Sequence, residues 1–285
     1  MNFFKKVTDK QSFIIAEIGI NHNGNLKNAL KLIDAAKLAG CDAVKFQKRT
    51  PEICVPKDQW NIIRETPWGK MKYIDYKKRI EFGKKEFDII NKYCKKLSIL
   101  WSASCWDVKS VDFIEKYNVK FHKIASACIT DLDLLKKYKK TKKPIIISTG
   151  MSSEKEIANA VKILSQKKLA ILHCNSSYPA PNHQLNLRYI KKLKSRYKLS
   201  VIGYSGHEIN LSATIAAVVL GAKIIERHIT LDKSMWGTDQ MSSIEPLGFA
   251  RLIKDVRTVE KSLGVPKKII FPEEIKMMEK LRKFN

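Results

Sequence analysis

DAVKFQ, residues 42–47, is an apolar run with a lysine in its middle. Side chains alternate along a strand, so Ala43, Lys45 and Gln47 share one face and Val44 and Phe46 the other. The apolar face is expected to pack against helices, which aims Lys45 into the interior of a sheet. KFHKIAS, residues 120–126, repeats the arrangement, with Lys123 on the face of Phe121 and Ala125. Lysine is almost never buried without a partner, because a lone ammonium in a low-dielectric interior is costly. Glu17, on the face of Ile15 in an earlier apolar run, would neutralise one lysine. One glutamate does not neutralise two, so the pair predicts a bound phosphate or carboxylate.

Working outward, eight strand-like runs are expected near 13–17, 42–46, 98–103, 120–124, 144–148, 169–173, 200–204 and 222–227. They end at or beside Glu17, Lys45, Ser104, Lys123, Ser148, His173, His207 and His228. Between them, 25–38, 77–95, 108–117, 153–164 and 211–220 carry apolar residues at helical spacing. Strand–helix alternation of this kind predicts a parallel sheet, and eight units predict a (β/α)8 TIM barrel forming a single catalytic domain over residues 1–285. In such a barrel the carboxyl ends of all strands meet on one face, so the polar ends describe one pocket. Residues 48–74 make an unusually long connection, polar and proline-containing, expected to be a lid over that pocket.

The other polar ends suit an anion. Ser104, Ser126, Ser148, Thr149, Ser176 and Ser205 supply hydroxyls, and Gly150, Gly203 and Gly206 are expected to allow close backbone approach. Lysine serves phosphate as a point charge while hydroxyls and amides orient it. Val201, Gly203, Ser205 and His207 share one face, as do Ile224, Glu226 and His228, so His207 and His228 are expected side by side as metal ligands. Imidazole with oxygen donors leaves manganese, iron, cobalt and zinc all open. His22, His122 and His183 have no convergent partner and are expected to be structural or at the pocket edge.

Composition excludes more than it identifies. The chain has 285 residues, 44% of them hydrophobic, enough for one barrel-sized core. No apolar stretch approaches the ~20 residues of a membrane span, and residues 1–10 lack the apolar segment of a secretory signal, so a cytoplasmic address is expected. Six cysteines without CxxC spacing are expected reduced. Cys41 and Cys94 read as core residues, and Cys105, Cys128 and Cys174 as pocket candidates. The formal charge of +26 suits nucleic acid or an acidic polymer. The densest basic runs, 136–143, 167–168 and 191–196, however fall where links close the bottom of a barrel. A solvated lysine-rich surface is expected, with no nucleic-acid partner.

AEIGINHNGN (16–25), VKFQ (44–47), HKIAS (122–126), ISTGM (147–151), LHCNSSYPAP (172–181), YSGHE (204–208) and ERHITLDKSMWGTDQMSSIEP (226–246) together resemble the sialic acid synthase family, in order, over residues 12–263. The resemblance implies a transferase that condenses phosphoenolpyruvate with an N-acylmannosamine-type aldose and releases phosphate. It places phosphoenolpyruvate on Lys45, Ser104, Lys123, Ser126, Ser148, Ser176 and Ser205. A divalent metal falls on His207 and His228, manganese first, with magnesium or cobalt as alternatives. Glu17, Gln47, Tyr178 and Asp239 match positions near the sugar or the reacting centre, with Glu17 or Asp239 managing protons. It implies a homodimer. Typical members continue into a C-terminal antifreeze-like domain carrying an arginine for the N-acyl group; this chain is expected to lack it. Cys128 stands where many relatives have glutamate, and RETPWG (64–69) resembles a subgroup that includes enzymes for phosphorylated sugars. Alternatives are a phosphorylated hexose, a heptulosonate- or octulosonate-type reaction, and a non-enzymatic polyanion binder.

Overall fold

Strands Phe13–Gly19, Ala43–Lys48, Leu100–Cys105, His122–Ile124, Ile145–Ser148, Leu169–Cys174, Val201–Gly206 and Ile224–His228 follow one another around a closed, all-parallel barrel. They are numbered first to eighth below. The structure is a computed structural model that describes residues 3–9 and 11–283. Both ends of the single domain expected over 1–285, and part of the 1–10 segment, lie outside the described residues.

Alternation settles the two faces. Ile15, Ala43, Phe121, Ile146, Ala170, Leu172, Val201 and Ile224 fill the barrel interior, while Ile14, Val44, Phe46, Ile147, Ile171 and Ile225 pack outward against the helices. The N-terminal helix Phe3–Val7 closes the amino-terminal end of the barrel. Phe4 is fully buried and meets Phe121 edge-on at 6.3 Å between centroids. That end is sealed by aromatic packing, so the opposite end carries the pocket.

Local signals explain where helices begin. Asn25 caps Leu26–Ala39 by accepting from the Lys27 and Asn28 amides, and Gly40 ends it at φ 93°, where a side chain would be strained. Ser153 and Glu156 form a reciprocal capping box on Glu154–Leu164. The helix expected over 77–95 is instead two, Tyr73–Ile80 and Lys84–Lys96. Residues between them serve the barrel mouth: Glu81 accepts from the Arg49 amide and Lys48 Nζ, and Phe82 stacks on His22 at 4.0 Å. The expected 48–74 loop carries the short helix Pro51–Cys54, a small hairpin pairing Ile63–Arg64 with Met71–Lys72, and the start of the Tyr73 helix. Among the described residues no helix is long and apolar enough to cross a membrane.

Candidate active site

The barrel register sets Glu17 level with Lys45 on one side and His228 on the other, Gln47 level with Ser104, Ser104 with Lys123, and Ser205 with both Cys174 and Glu226. These side chains line one cavity of about 270 Å³ at the carboxyl ends of the strands. Of the residues singled out in the sequence, Glu17, Lys45, Gln47, Ser104, Lys123, Ser126, Ser148, Ser176, Tyr178, Ser205, His207 and His228 all border it. Asp239 stands beside it, with its Oδ2 3.7 Å from His228 Nδ1.

The two inward lysines are already neutralised by carboxylates, contrary to the expectation of a single glutamate. Lys45 Nζ is 2.5 Å from Glu17 Oε2 and donates to Ser104 Oγ at 2.6 Å, while Lys123 Nζ is 3.4 Å from Glu226 Oε1. Glu226 also lies 4.0 Å from Lys45. Two glutamates thus balance two lysines, and charge alone does not demand a ligand. The inward face of Glu226 was readable from alternation, but its role as second counter-ion was missed. Burial pushes the Glu17 carboxyl up to about 7, with Lys45 opposing and Glu226 assisting. For Glu226 burial works upward too, but Lys123 and then Lys45 prevail and its pKa falls below the usual carboxylate range. Burial lowers Lys123, against the pull of Glu226.

Unsatisfied polar atoms carry more weight than charge. Ser148 Oγ, Glu226 Oε2 and His228 Nδ1 are buried without a hydrogen-bond partner, and all three residues line the cavity. Buried polar groups are nearly always paired in a finished structure. Trp106 Nε1, on the same lining, is buried without a partner as well, and such orphans around one cavity mark the position of a polar ligand. Of the three glycines, only Gly150 opens onto this space: its amide donates to Ser126 Oγ at 3.0 Å, and a Cβ there would run into Ser176. Gly203 instead permits close contact with Ile224 of the eighth strand, and Gly206 abuts Tyr204, Glu208 and Arg227.

His207 and His228 have ring centroids 5.4 Å apart, with Tyr178 stacked on His207 at 4.0 Å. His207 Nδ1 lies 2.6 Å from the Asn175 carbonyl, which assigns the proton to Nδ1 and leaves Nε2 as the free lone pair. Burial, then His228, push His207 down to about 4, so the ring is neutral at neutral pH. Two neutral imidazoles, one with an orphaned nitrogen, fit a borderline divalent metal as two of its ligands, with water and oxygen donors completing the set. Among the described residues no cluster of three or more His, Cys, Asp or Glu is arranged to hold an ion unaided. Asp239 is held in place from afar: Asn21 Nδ2 donates to Ser243 Oγ at 2.8 Å, and Ser243 Oγ to the Asp239 carbonyl at 2.6 Å.

Other expectations divide. His173 faces outward, its Nε2 2.6 Å from the Leu185 carbonyl and its ring against Tyr189, because Leu172 and Cys174 take the inward positions. Cys174 lines the cavity, whereas Cys105 and Cys128 belong to the core between barrel and helices, as do Cys41 and Cys94. His22 and His122 are buried structural residues, the latter 2.8 Å from Glu115. Trp106 and Met151 border the cavity without having been anticipated. A wider trough of about 1020 Å³ adjoins it through Met151, Cys174 and Ser176 and runs out to Arg188 and Lys192.

The NeuB family model matches residues 32–268. The chain belongs to the NeuB family. Among NeuB relatives, N-acetylneuraminate-9-phosphate synthase of Homo sapiens is 38% identical over 276 residues, 95% of this chain and 76% of that one. N,N'-diacetyllegionaminic acid synthase of Campylobacter jejuni is 37% identical over 264 residues, 90% of this chain and 78% of that one. The crystal structure of the N-acetylneuraminic acid synthetase of Leptospira borgpetersenii superposes with a TM-score of 0.83 at 35% identity, covering 96% of this chain and 93% of that one. The NeuB chain described here is accordingly an enzyme, a synthase on a TIM barrel.

Proposed function

We propose that the cavity joins phosphoenolpyruvate to an aldose of the N-acylmannosamine type, producing a nonulosonic acid and inorganic phosphate. The reading is carried by the buried polar orphans around a cavity that also presents two ammonium groups and five serine hydroxyls. Relatives named for N-acetylneuraminate 9-phosphate and diacetyllegionaminic acid support the product class.

Lys45 and Lys123 hold the carboxylate and phosphate of phosphoenolpyruvate, with Ser104, Ser126, Ser148, Ser176 and Ser205 orienting the oxygens. Glu17 and Glu226 keep both lysines charged and aimed before substrate arrives. The methylene carbon of the enol phosphate attacks the open-chain aldehyde carbon, a C–C bond forms, and the aldehyde oxygen takes a proton to become a hydroxyl. Water adds at C2 and gives up one proton, then the bond from C2 to the phosphate oxygen breaks while the new hydroxyl passes its remaining proton to the departing phosphate, which leaves behind a 2-keto acid. Glu17, with a pKa near 7, is matched to holding and returning that proton. Gln47, Tyr178 and Asp239 bind the sugar. A divalent ion at His207 and His228, manganese by family precedent, would supply Lewis acidity toward the aldehyde oxygen. The segment 48–74 serves as a lid over this face, within one domain.

The test is phosphate release from phosphoenolpyruvate with mannosamine-type aldoses, with and without chelator. Lys123→Ala and Lys45→Ala should each lower kcat/KM by about 10³-fold or more. Full turnover in both variants, or no aldose that triggers phosphate release, sinks the proposal.

A further inference from the structure

Trp106 follows Ser104 by two residues at the end of the third strand, roughly 7 Å nearer the mouth of the cavity. Its amide donates to the Lys48 carbonyl at 3.0 Å, which ties this point of the chain to the second strand. The indole lines the cavity, yet its Nε1 is buried without a hydrogen-bond partner. Trp60 and Trp101 show the contrast, their Nε1 atoms donating to the Val55 carbonyl at 2.9 Å and to Asn91 Oδ1 at 3.2 Å. Ser148 Oγ and the orphaned His228 nitrogen can donate or accept, but an indole N–H can only donate. Trp106 therefore calls for an acceptor oxygen on a ligand.

The ring is fixed in place for such a contact. The Arg49 guanidinium lies 4.1 Å from its centroid, and Arg49 also donates to the Gln47 side chain. A cation over an indole face pins the ring and draws on its π density, which strengthens the N–H as a donor. Trp106 lies one inward position beyond Ser104, as Gln47 does beyond Lys45 and Ala125 beyond Lys123, and all of them line the cavity. The deeper positions are those that the proposed function gives to phosphoenolpyruvate. Ala125 and Ala127 add apolar surface to the lining.

We infer, resting on the proposed function, that Trp106 is a specificity residue and donates its indole N–H to the carbonyl oxygen of the acceptor's acylamino group. That group branches from the carbon next to the aldehyde, so it has to lie inside this cavity rather than out in the wider trough. A carbonyl only accepts, as the indole only donates, and the acyl methyl suits Ala125 and Ala127. A sugar hydroxyl in the same place would need an acceptor for its own proton, and Gln47 Oε1 and Ser126 Oγ already accept from Arg49 and from the Gly150 amide.

The experiment compares N-acetylmannosamine with mannose, whose C2 bears a hydroxyl, in wild-type and Trp106→Phe enzyme, by initial rates with phosphoenolpyruvate and by calorimetric binding. Phenylalanine keeps an aromatic face for Arg49 and removes the N–H. A buried carbonyl left without its donor costs about 10-fold. Trp106→Phe should therefore raise the KM for N-acetylmannosamine by about 10-fold while leaving mannose and the KM for phosphoenolpyruvate unaffected. Complete exclusion of mannose by wild type, together with that loss on N-acetylmannosamine, also upholds the inference. Equal losses for both sugars, a rise in the KM for phosphoenolpyruvate instead, or no change overturns it and leaves the condensation itself standing. Binding of N-acetylmannosamine that Trp106→Phe weakens, without turnover of either sugar, upholds the Trp106 contact and refutes the proposed function. A wild type that neither binds nor turns over N-acetylmannosamine overturns both.

Discussion

Gly150 shows how little room the pocket leaves. Its φ is not in the left-handed region, so alanine suits the backbone, but a Cβ would lie 3.0 Å from Ser126 Oγ and collide with the Ser176 side chain. Gly150→Ala should fold with a melting temperature close to wild type. It should raise the KM for phosphoenolpyruvate by about 10-fold or more, because misplacement of about 1 Å in a positioned substrate costs up to ~10²-fold. Initial-rate kinetics beside a thermal melt check both halves, and an unchanged KM would place the anion elsewhere. At this scale the sequence was informative where alternation alone decides orientation. Lys45, Lys123, Ser205, His207 and His228 all point where period two sends them. It misled at His173, where the last outward residue of a strand was taken for a pocket residue. It also undercounted carboxylates, because which glutamate reaches which lysine depends on register between the eighth, second and fourth strands.

At the scale of elements, the seventh and eighth strands are locked behind the histidines by a buried network. Arg227 points away from the pocket, donates to Glu208 Oε1 at 3.0 Å and to Thr214 Oγ1 at 2.6 Å, and both Arg227 and Glu208 are fully buried. Tyr204 donates to Glu208 Oε2 at 2.9 Å. Arg227→Met leaves a carboxylate buried without its cation and should cost about 3–5 kcal/mol. The double variant Arg227→Met/Glu208→Gln should recover part of that loss, since no unpaired charge remains. Urea unfolding of wild type, single and double variants reads the coupling, and additive effects would show that the two side chains do not depend on each other. The split of the expected 77–95 helix has a similar origin. Helical periodicity continues through 81–83, but Glu81 and Phe82 find better partners in Arg49, Lys48 and His22, and Gly83 lets the chain restart.

For the whole molecule, buried histidines make stability depend on acid. Burial pushes His22 down to about 3, and burial, resisted by Glu115, pushes His122 down to about 4. Both are neutral in the folded chain, whereas an unfolded histidine titrates near 6.5. The unfolded chain therefore binds more protons below 6.5, so the stabilisation is complete above that pH and is lost as pH falls from 6.5 toward 4 and then 3. Each histidine adds a slope of up to about 1.4 kcal/mol per pH unit in its window. His22→Asn preserves an acceptor for the Gly24 amide that His22 Nδ1 now holds at 3.0 Å, and it should flatten the profile between pH 6.5 and 4. Equal slopes in both proteins, measured by urea unfolding across that range, would exclude His22 as a source.

Period-two and helical spacing are local properties of the chain, and they were sufficient to specify eight strands, their inward faces, the barrel and a single polar end. Partners in space are not local. The pairing of Lys123 with Glu226, the sealing of the barrel floor by Phe4 against Phe121 and the burial of Cys105 and Cys128 all join residues far apart along the chain. Barrel closure and register bring them together, and only then do desolvation and Coulomb forces determine which groups are satisfied and which await a ligand.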